Sequence, residues 1–275
     1  MTPRTAIQAA VRRLTISGVP DPTWDAAHLL SDILQRPALK LRLDTDTLLT
    51  PLQEEAYEAL ICRREKREPL QYIEGETDFC GHVFSVTHDV LIPRPETEML
   101  VAHAVHSAPN AACVLDVCCG SGCIGLSVKL ARPDLQVVLS DISPEALAVA
   151  RRNAARLSCD VTLTQGDLLT PFAAGHFALI LANPPYIPSG ECDHLQSEVM
   201  QEPRLALDGG ADGLQVYRRL VQSAVTVLTP GGELVLELGD GEADSVSALA
   251  REAGFRNISV FPDFQGIARM LVCRR

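Results

Sequence analysis

Residues 114–125 read Val-Leu-Asp-Val-Cys-Cys-Gly-Ser-Gly-Cys-Ile-Gly and join an aliphatic strand directly to the start of a helix. Small residues at such a turn let the backbone pass close to a ligand, and the helix N-terminus offers N–H groups without intrahelical partners. By itself the Gly-x-Gly pattern is weak evidence, because any tight turn between a strand and a helix can contain it. The ligand of this turn must therefore be inferred from the segments around it.

Strands alternate with helices from residue 112 onward. Short β-branched or aliphatic runs are separated by segments whose apolar residues recur at helical spacing. The predicted strands are 114–116, 136–140, 161–164, 177–181, 233–238, 258–261 and 267–273, and the predicted helices are 122–131, 144–157, 213–228 and 242–253. This alternation is typical of a doubly wound α/β fold with a mostly parallel sheet, whose last two strands form an antiparallel pair.

The first seventy residues show helical spacing only, with apolar residues recurring around Ile7, Ala26 and Ala56. Their basic run, 63–68, could contact RNA or a partner, but a solvated helix end is the favoured interpretation. A hairpin is predicted after it, with strands 77–79 and 83–86 around a three-residue turn, and Thr97 is predicted to cap the next helix. We expect a helical N-terminal domain, a linking β-hairpin and an α/β domain, at 1–70, 71–95 and 96–275.

The composition excludes several classes of protein. Of the 275 residues, 47% are hydrophobic and 21% are charged, which suits about two folded domains. No apolar run approaches the ~18 residues of a membrane-spanning helix, and residues 1–20 lack the apolar core of a secretory signal. Nine cysteines, an odd number with two adjacent, fit a reducing compartment better than a disulfide framework. We therefore expect a cytoplasmic protein with no membrane association.

The net charge of −11 is unevenly distributed. Residues 1–70 contain ten basic and ten acidic residues, whereas residues 71–275 contain fourteen basic and twenty-five acidic ones. An acidic domain repels a phosphate backbone, and most nucleic-acid affinity comes from neutralising phosphates. Free DNA or RNA is therefore not the expected partner.

Two carboxylates follow the second and third predicted strands. Asp141 comes about twenty residues after the glycine turn, where an acid accepts hydrogen bonds from the ribose hydroxyls of a nucleoside cofactor. The alternative is a helix-capping role, although Ser143 and Pro144 already provide a helix start. Asp167 ends the third strand, where a carboxylate can meet the exocyclic amine of an adenine.

Asn183-Pro184-Pro185-Tyr186, at the end of the fourth strand, is the most specific motif in the chain. Its two prolines hold the loop rigidly. The Asn183 carboxamide oxygen and the Pro184 carbonyl are two converging acceptors, suited to the two hydrogens of a planar –NH₂ group. The Tyr186 ring offers a face on which such a group can stack. A plain proline-rich turn is the alternative.

These four motifs, in this order on successive strand ends, resemble the class I S-adenosylmethionine-dependent methyltransferases that act on amide or amino nitrogens. Three further segments resemble the peptide chain release factor glutamine methyltransferases, the HemK/PrmC family: 71–98, 202–213 and 230–237. The resemblance covers nearly the whole chain and implies a Rossmann-like, seven-stranded catalytic domain with a helical substrate-recognition domain. It also implies methylation of the glutamine side-chain amide in the Gly-Gly-Gln loop of class I release factors.

The resemblance also implies roles for individual residues. Asn183, Pro184 and Tyr186 would be catalytic, and the whole loop 183–186 would hold the substrate glutamine. The cofactor, S-adenosylmethionine with S-adenosylhomocysteine as product, would be lined by Cys118, Cys119, Gly120, Ser121, Gly122, Asp141, Asp167, Leu168 and Asn183. The chain departs from the family pattern at Cys118, where the family usually has glycine, and at Leu168, where some members have an aromatic residue.

Three other hypotheses remain open at this point. A nucleobase amino methyltransferase would use the same loop on adenine or cytosine, but such enzymes usually have a basic face or an added base-recognition domain. A cofactor-binding protein without catalysis would not need an intact Asn-Pro-Pro-Tyr loop. A metal site among Cys113, Cys118, Cys119 and Cys123 lacks a Cys-x-x-Cys pair, so we expect no metal. We expect a monomer whose partner is a release factor.

Overall fold

Five helices form the N-terminal part of the chain, where the spacing around Ile7, Ala26 and Ala56 predicts three of them. They are α1 (Pro3–Ile16), α2 (Pro22–Leu34), α3 (Ala38–Leu43), α4 (Pro51–Glu65) and α5 (Leu70–Glu74). The computed structural model describes residues 1–275 and has two units. Met1–Gly75 and Gln196–Gln201 form the first, and Glu76–Leu195 and Glu202–Arg275 form the second, which therefore includes the hairpin.

The basic run 63–68 is not a solvated helix end. Arg64 is buried, its Nε lying 2.7 Å from Asp25 Oδ2 and its Nη2 2.9 Å from Glu198 Oε1. Arg67 also contacts Glu198, and Arg63 contacts Glu68. A buried charge is tolerated only when it is paired, and here carboxylates distant in the sequence provide the pairing. This basic run is largely neutralised within the first unit.

Helix α4 begins with a reciprocal pair of hydrogen bonds. The Thr50 hydroxyl accepts from the Gln53 amide at 3.3 Å, and the Gln53 side chain accepts from the Thr50 amide at 2.9 Å. Pro51 occupies the first helical position, where no hydrogen bond from its nitrogen is required. The local sequence is therefore sufficient to define this helix start.

We expect Thr50→Ala to lower the free energy of unfolding of the first unit by about 1 kcal/mol, since one backbone N–H loses its acceptor. Thr50→Ser retains the acceptor and is the matched control. Urea denaturation followed by circular dichroism would measure both. Equal midpoints for the two variants would contradict the capping role.

The hairpin pairs β1 (Glu76–Phe79) with β2 (His82–Ser85) in antiparallel register. Its turn has two residues rather than the three predicted, because Cys80 and Gly81 both adopt positive φ, 49° and 74°. Tight hairpins favour this conformation, since it matches the twist of the strands. The hairpin turns its aromatic side chains, Phe79 and Phe84, into the core of the second unit.

The second unit contains the predicted seven-stranded sheet. Its strands are β3 (Cys113–Val117), β4 (Gln136–Asp141), β5 (Thr162–Gln165), β6 (Phe177–Ala182), β7 (Leu228–Glu237), β8 (Arg256–Pro262) and β9 (Ala268–Arg274). They are arranged in the order β5-β4-β3-β6-β7-β9-β8. Strands β3 to β7 pair in parallel, whereas β9 pairs antiparallel with both β7 and β8. The doubly wound fold with a terminal antiparallel pair is confirmed.

Helices cover both faces of this sheet. They are α6 (Glu98–Ser107), α7 (Cys123–Ala131), α8 (Pro144–Arg156), α9 (Gln215–Val227) and α10 (Ala243–Glu252). Successive side chains of β3 point to opposite faces of the sheet. Val114 packs into the hydrophobic cluster on one face and Leu115 into the cluster on the other. Both residues are fully buried. None of the helices is long and apolar enough to cross a membrane.

Two further local predictions were wrong. Strand β7 begins at Leu228 rather than at residue 233, because a register shift against β6 accommodates Pro230 and the two glycines after it. Thr97 precedes α6 as predicted, but its side chain makes no capping hydrogen bond. Its hydroxyl bonds to Glu237 instead.

Candidate active site

A cleft of about 360 Å³ lies at the carboxyl ends of β3, β4, β5 and β6, within the second unit. In doubly wound sheets this is the edge where ligands bind, and the volume is in the range of small-molecule sites. Most of the predicted site residues line it, namely Cys118, Cys119, Gly120, Ser121, Asp141, Asp167, Leu168, Asn183 and Pro185. The other three, Gly122, Pro184 and Tyr186, are not among the lining residues.

The turn after β3 is built from left-handed backbone conformations. Cys118, Gly120 and Gly122 have φ values of 58°, 53° and 79°. A Cβ at Gly122 would lie 3.1 Å from Leu139 Cδ1, so Gly122 serves packing under the turn. A Cβ at Gly120 would meet no atom within 4 Å, so this glycine leaves open space beside the cleft. The positive φ of Cys118 is unfavourable for a residue with a side chain, which explains why glycine suits this position better.

Asp116 is a component of the turn that sequence reasoning missed. Its side chain is 0% exposed, and its Oδ2 accepts from the Gly125 amide at 2.8 Å. A Cβ at Gly125 would lie 2.3 Å from Leu139 Cδ2 and 3.0 Å from Asp116 Cβ, so a larger residue there would displace the Leu139 side chain. Burial raises the pKa of Asp116 to about 7. An acid directly before a glycine turn was the available signal, and its role is to fix the start of α7.

Asp141 connects β4 to the glycine turn. Its Oδ2 accepts from the Gly120 amide at 2.9 Å, and its Oδ1 accepts from the Ser143 amide at 3.0 Å. Ser143 itself caps α8, since its hydroxyl accepts from the Ala146 amide at 3.0 Å. Burial raises the pKa of Asp141, with the backbone hydrogen bonds opposing the shift. Each carboxylate oxygen keeps a further lone pair, so Asp141 can accept from a ligand in the cleft.

Asn153 on α8 holds the turn against the hairpin, and sequence reasoning missed it as well. Its Oδ1 accepts from the Ser85 amide at 2.7 Å. Its Nδ2 donates to the carbonyls of Ser85 and Ser121, at 3.0 and 2.9 Å. A fully buried asparagine with all these bonds satisfied is rigid. The hairpin thereby helps to fix the turn at residues 118–122.

The opposite part of the cleft contains Asp167, Leu168 and Arg219. Arg219 Nη2 donates to Asp167 Oδ2 at 2.6 Å, an ion pair between exposed side chains. The other oxygen of Asp167 has no hydrogen bond in the structure. Leu168 adopts a φ of 51° and turns an aliphatic side chain to the same cleft. This region offers one acceptor beside an apolar contact, which suits the edge and face of a planar base.

Asn183 lies on the cleft wall directly after β6. Its Nδ2 donates to Thr97 Oγ1 at 3.4 Å, and Thr97 Oγ1 donates to Glu237 Oε2 at 2.6 Å. The Tyr186 ring packs with the hydrophobic cluster beneath α9, and burial raises the pKa of its hydroxyl. The structure therefore places Asn183 at the cleft, whereas Tyr186, in the same loop, packs against the hydrophobic cluster.

The glycines of segment 202–213 support the Asn-Pro-Pro-Tyr loop by close backbone contact. A Cβ at Gly209 would lie 2.7 Å from Tyr186 Cα, and a Cβ at Gly213 would lie 2.4 Å from the Tyr186 carbonyl oxygen. Ile187 continues the loop, donating to the Leu207 carbonyl and accepting from the Gly209 amide at 2.9 and 2.8 Å. Any larger residue at these glycines would displace the loop.

Glu202, in the same segment, holds the proline-rich segment that precedes α6. It accepts from Arg94 and, at 3.1 Å, from the Ile92 amide. Burial raises the pKa of Glu202, and Arg94 opposes the shift. Arg94 also lines the cleft, so the segment 91–98 is fixed at the rim by an ion pair that spacing in the sequence did not predict.

All nine cysteines are free thiols. Cysteine occurs in no cluster of three or more potential ligands close enough to share an ion. Burial raises the pKa of Cys118, Cys119 and Cys123, which opposes the thiolate form that metals bind. We therefore expect elemental analysis of the purified protein to find no stoichiometric zinc or iron bound through these residues. One equivalent of metal that is lost in a Cys119→Ser variant would contradict this.

Known proteins with similar sequences cover nearly the whole chain. Two family models match, the PrmC N-terminal domain over residues 5–75 and the Methyltransferase small domain over residues 95–211. The release factor glutamine methyltransferase of Geobacter sulfurreducens is 44% identical over 259 residues, covering 94% of this chain and 91% of the relative. The enzyme of that name from Moorella thermoacetica is 42% identical over 282 residues, covering 100% and 99%.

Among solved structures, a methyltransferase from Pyrococcus furiosus has a TM-score of 0.54 at 19% identity, over 70% of this chain and 87% of that one. This likeness supports the fold alone. The identities to the curated relatives, which extend over nearly the full length of both chains, establish more. The chain belongs to the family of release factor glutamine methyltransferases.

Proposed function

We propose that this chain methylates the side-chain amide nitrogen of the glutamine in the Gly-Gly-Gln loop of class I release factors, and thereby modulates translation termination. The observation that carries the proposal is the placement of the Asn183 amide on the wall of a cleft at the carboxyl edge of the sheet. Family membership makes S-adenosylmethionine the methyl donor, and when bound it supplies a methyl group on a positively charged sulfur.

The residues that line the cleft suit each part of this cofactor. Asp141 offers acceptors for the ribose hydroxyls, and the carboxylate of Asp167 offers one for the adenine amine. Gly120 leaves open space beside the turn into which the cofactor can fit. Leu168 offers an apolar contact for the base. The remaining residues of the turn, from Cys118 to Ser121, would line the methionine moiety.

The chain's own chemistry on the substrate is positioning and electrostatic stabilisation. A glutamine amide nitrogen is a poor nucleophile, because its lone pair is delocalised into the carbonyl. Asn183 Oδ1 and the Pro184 carbonyl would each accept one hydrogen of the –NH₂ group, which orients it and favours positive charge developing on nitrogen. The proton leaves after transfer, when the nitrogen is far more acidic, so no Glu or His is required as a general base.

The charge distribution supports a protein substrate. The net charge of −11 comes from residues 71–275, nearly all of which belong to the second unit. A release-factor domain that works against ribosomal RNA should be basic, and such a surface complements an acidic partner. Free nucleic acid would be repelled. We propose that the helical unit, within residues 1–75, contributes to recognition of the release factor and that the enzyme acts in the cytoplasm as a monomer.

The experiment that tests this function compares three substrates under one condition. The purified chain would be incubated with labelled S-adenosylmethionine and a release factor, its Gln→Ala variant in the Gly-Gly-Gln loop, or duplex DNA. Label should enter the first substrate only. Labelling of DNA or RNA without reaction on the release factor would refute the proposal and favour a nucleobase amino methyltransferase. Labelling of none of the three would favour a cofactor-binding protein without catalysis.

A further inference from the structure

Asn183 is connected to a buried glutamate through a single hydroxyl group. Thr97 and Glu237 are 2% and 3% exposed, and Glu237 is the last residue of β7. The Thr97 Oγ1–Glu237 Oε2 distance is 2.6 Å, and the Asn183 Nδ2–Thr97 Oγ1 distance is 3.4 Å. Thr97 makes no helix-capping hydrogen bond. Its hydroxyl instead links Asn183, in the Asn-Pro-Pro-Tyr loop, with the end of β7.

The order of donors and acceptors in this chain of hydrogen bonds is determined at the glutamate. An ionised carboxylate only accepts, so the single hydrogen of the Thr97 hydroxyl must point to Glu237. Thr97 then presents only lone pairs to Asn183. The Asn183 amide has a donating end and an accepting end, and it must place its Nδ2 against those lone pairs. Its Oδ1 is consequently left for the cleft.

We propose that Glu237 and Thr97 are positioning residues that hold the Asn183 side-chain amide with its oxygen toward the substrate. The inference rests on the proposed role of Asn183 as an acceptor for the glutamine –NH₂ group. If the Asn183 amide were turned by about 180°, its N–H groups would face the N–H groups of the substrate glutamine. The glutamine –NH₂ group would then lose the Asn183 Oδ1 acceptor. The 3.4 Å hydrogen bond is long and therefore weak. The orientation is selected mainly because the turned amide would place Asn183 Oδ1 against Thr97 Oγ1 with no hydrogen between the two oxygens.

The orientation of the Asn183 amide should depend on pH, because it depends on whether Glu237 is ionised. Burial raises the pKa of its carboxyl to about 7. Below that pH the carboxyl carries a hydrogen and can donate to Thr97, whose own hydrogen is then free to turn toward Asn183 Oδ1. Turnover should therefore fall as pH decreases through about 7. The charged and titratable groups around Glu237 are Arg94, Glu96, Cys123, Tyr186, Tyr217 and Arg269.

The test uses matched variants in the methyl-transfer assay with a release factor. Thr97→Val keeps the shape and removes the hydroxyl, and we expect kcat to fall about tenfold to a hundredfold while cofactor affinity stays within about threefold. Thr97→Ser restores the hydroxyl and should recover most of the loss. Glu233→Gln, on the same strand but paired with His103 and Arg274, is the control and should leave kcat unchanged.

Glu237→Gln tests the order of donors and acceptors without a change of shape. A glutamine both donates and accepts, so it permits either orientation of Asn183. We expect a kcat reduced severalfold at pH 8 and no further fall in kcat between pH 8 and pH 6. A variant with the wild-type rate and the wild-type pH profile would overturn the inference, as would Thr97→Val with the wild-type kcat.

The inference can fail while the proposed function stands. A slow Asn183→Ala enzyme together with fully active Thr97 and Glu237 variants would remove the positioning role only. An Asn183→Ala enzyme with unchanged kcat would remove the proposed site itself. Circular dichroism and thermal unfolding identify any variant that does not fold. If Thr97→Val is one of these, the pH profile of Glu237→Gln decides the matter.

Discussion

Asn183→Ala should lower kcat by about a hundredfold to a thousandfold, the range found when one electrostatic contact to a transition state is removed. The side chain is half-buried and makes only the hydrogen bond to Thr97, so its loss should leave the fold intact. Cofactor affinity should change much less than kcat, because the amide is proposed to act on the reacting nitrogen. Single-turnover methyl transfer and calorimetry with the cofactor would separate the two effects.

Asn183→Asp is the sharper variant. It keeps the size of the side chain and its acceptor oxygens, so a role limited to gripping an amine would tolerate it in part. It also places a negative charge beside the positively charged sulfur, which stabilises the ground state more than the transition state. We therefore expect this variant to be slow as well, with kcat falling more than cofactor affinity. Wild-type kcat in both variants would exclude Asn183 from the reaction.

Asp141→Ala should weaken binding of S-adenosylmethionine about tenfold to a hundredfold, since a charged acceptor of two ribose hydroxyls is typically worth about 1.5–3 kcal/mol. The same variant releases the amides of Gly120 and Ser143. Part of the loss will therefore reflect a less ordered turn, and thermal unfolding should be measured together with calorimetry.

A matched control for Asp141 is Asp160→Ala. Asp160 is exposed and precedes β5, so it lies at the opposite edge of the same sheet. Its removal changes the net charge equally and should leave the Kd for the cofactor within about twofold. Equal Kd values for the Asp141 and Asp160 variants would exclude the ribose contact.

Local motifs explain why much of the site could be predicted from the sequence. The turn at 118–122, Asp141 and the loop at 183–186 each follow a strand, and parallel strands end at one edge of a sheet. A sequence pattern that predicts parallel strands is therefore enough to predict that these three motifs lie close together. Helices α1, α2 and α4 of the first unit were predictable for a similar reason, since their caps lie within a few residues of their apolar stripes. The short helices α3 and α5 have no side-chain cap and were not predicted.

Apart from the contact of Asp116 with Gly125, the contacts that were missed join residues distant in the sequence. Thr97 and Glu237 are 140 positions apart, and Asp167 and Arg219 are 52 apart. No local pattern distinguishes a threonine that caps a helix from one whose hydroxyl turns to a distant strand. Pairings of this kind depend on packing of the whole unit, which also decided that Tyr186 supports the loop and does not line the cleft.

The most direct test of the account is to locate the methyl group on a release factor treated with this chain and S-adenosylmethionine. Peptide mapping by mass spectrometry would assign the modified atom. We predict one methyl group, on the side-chain amide nitrogen of the glutamine in the Gly-Gly-Gln loop, and at least about a hundredfold slower modification by the Asn183→Ala enzyme. A methyl group on any other residue, or equal modification by both enzymes, would contradict the account.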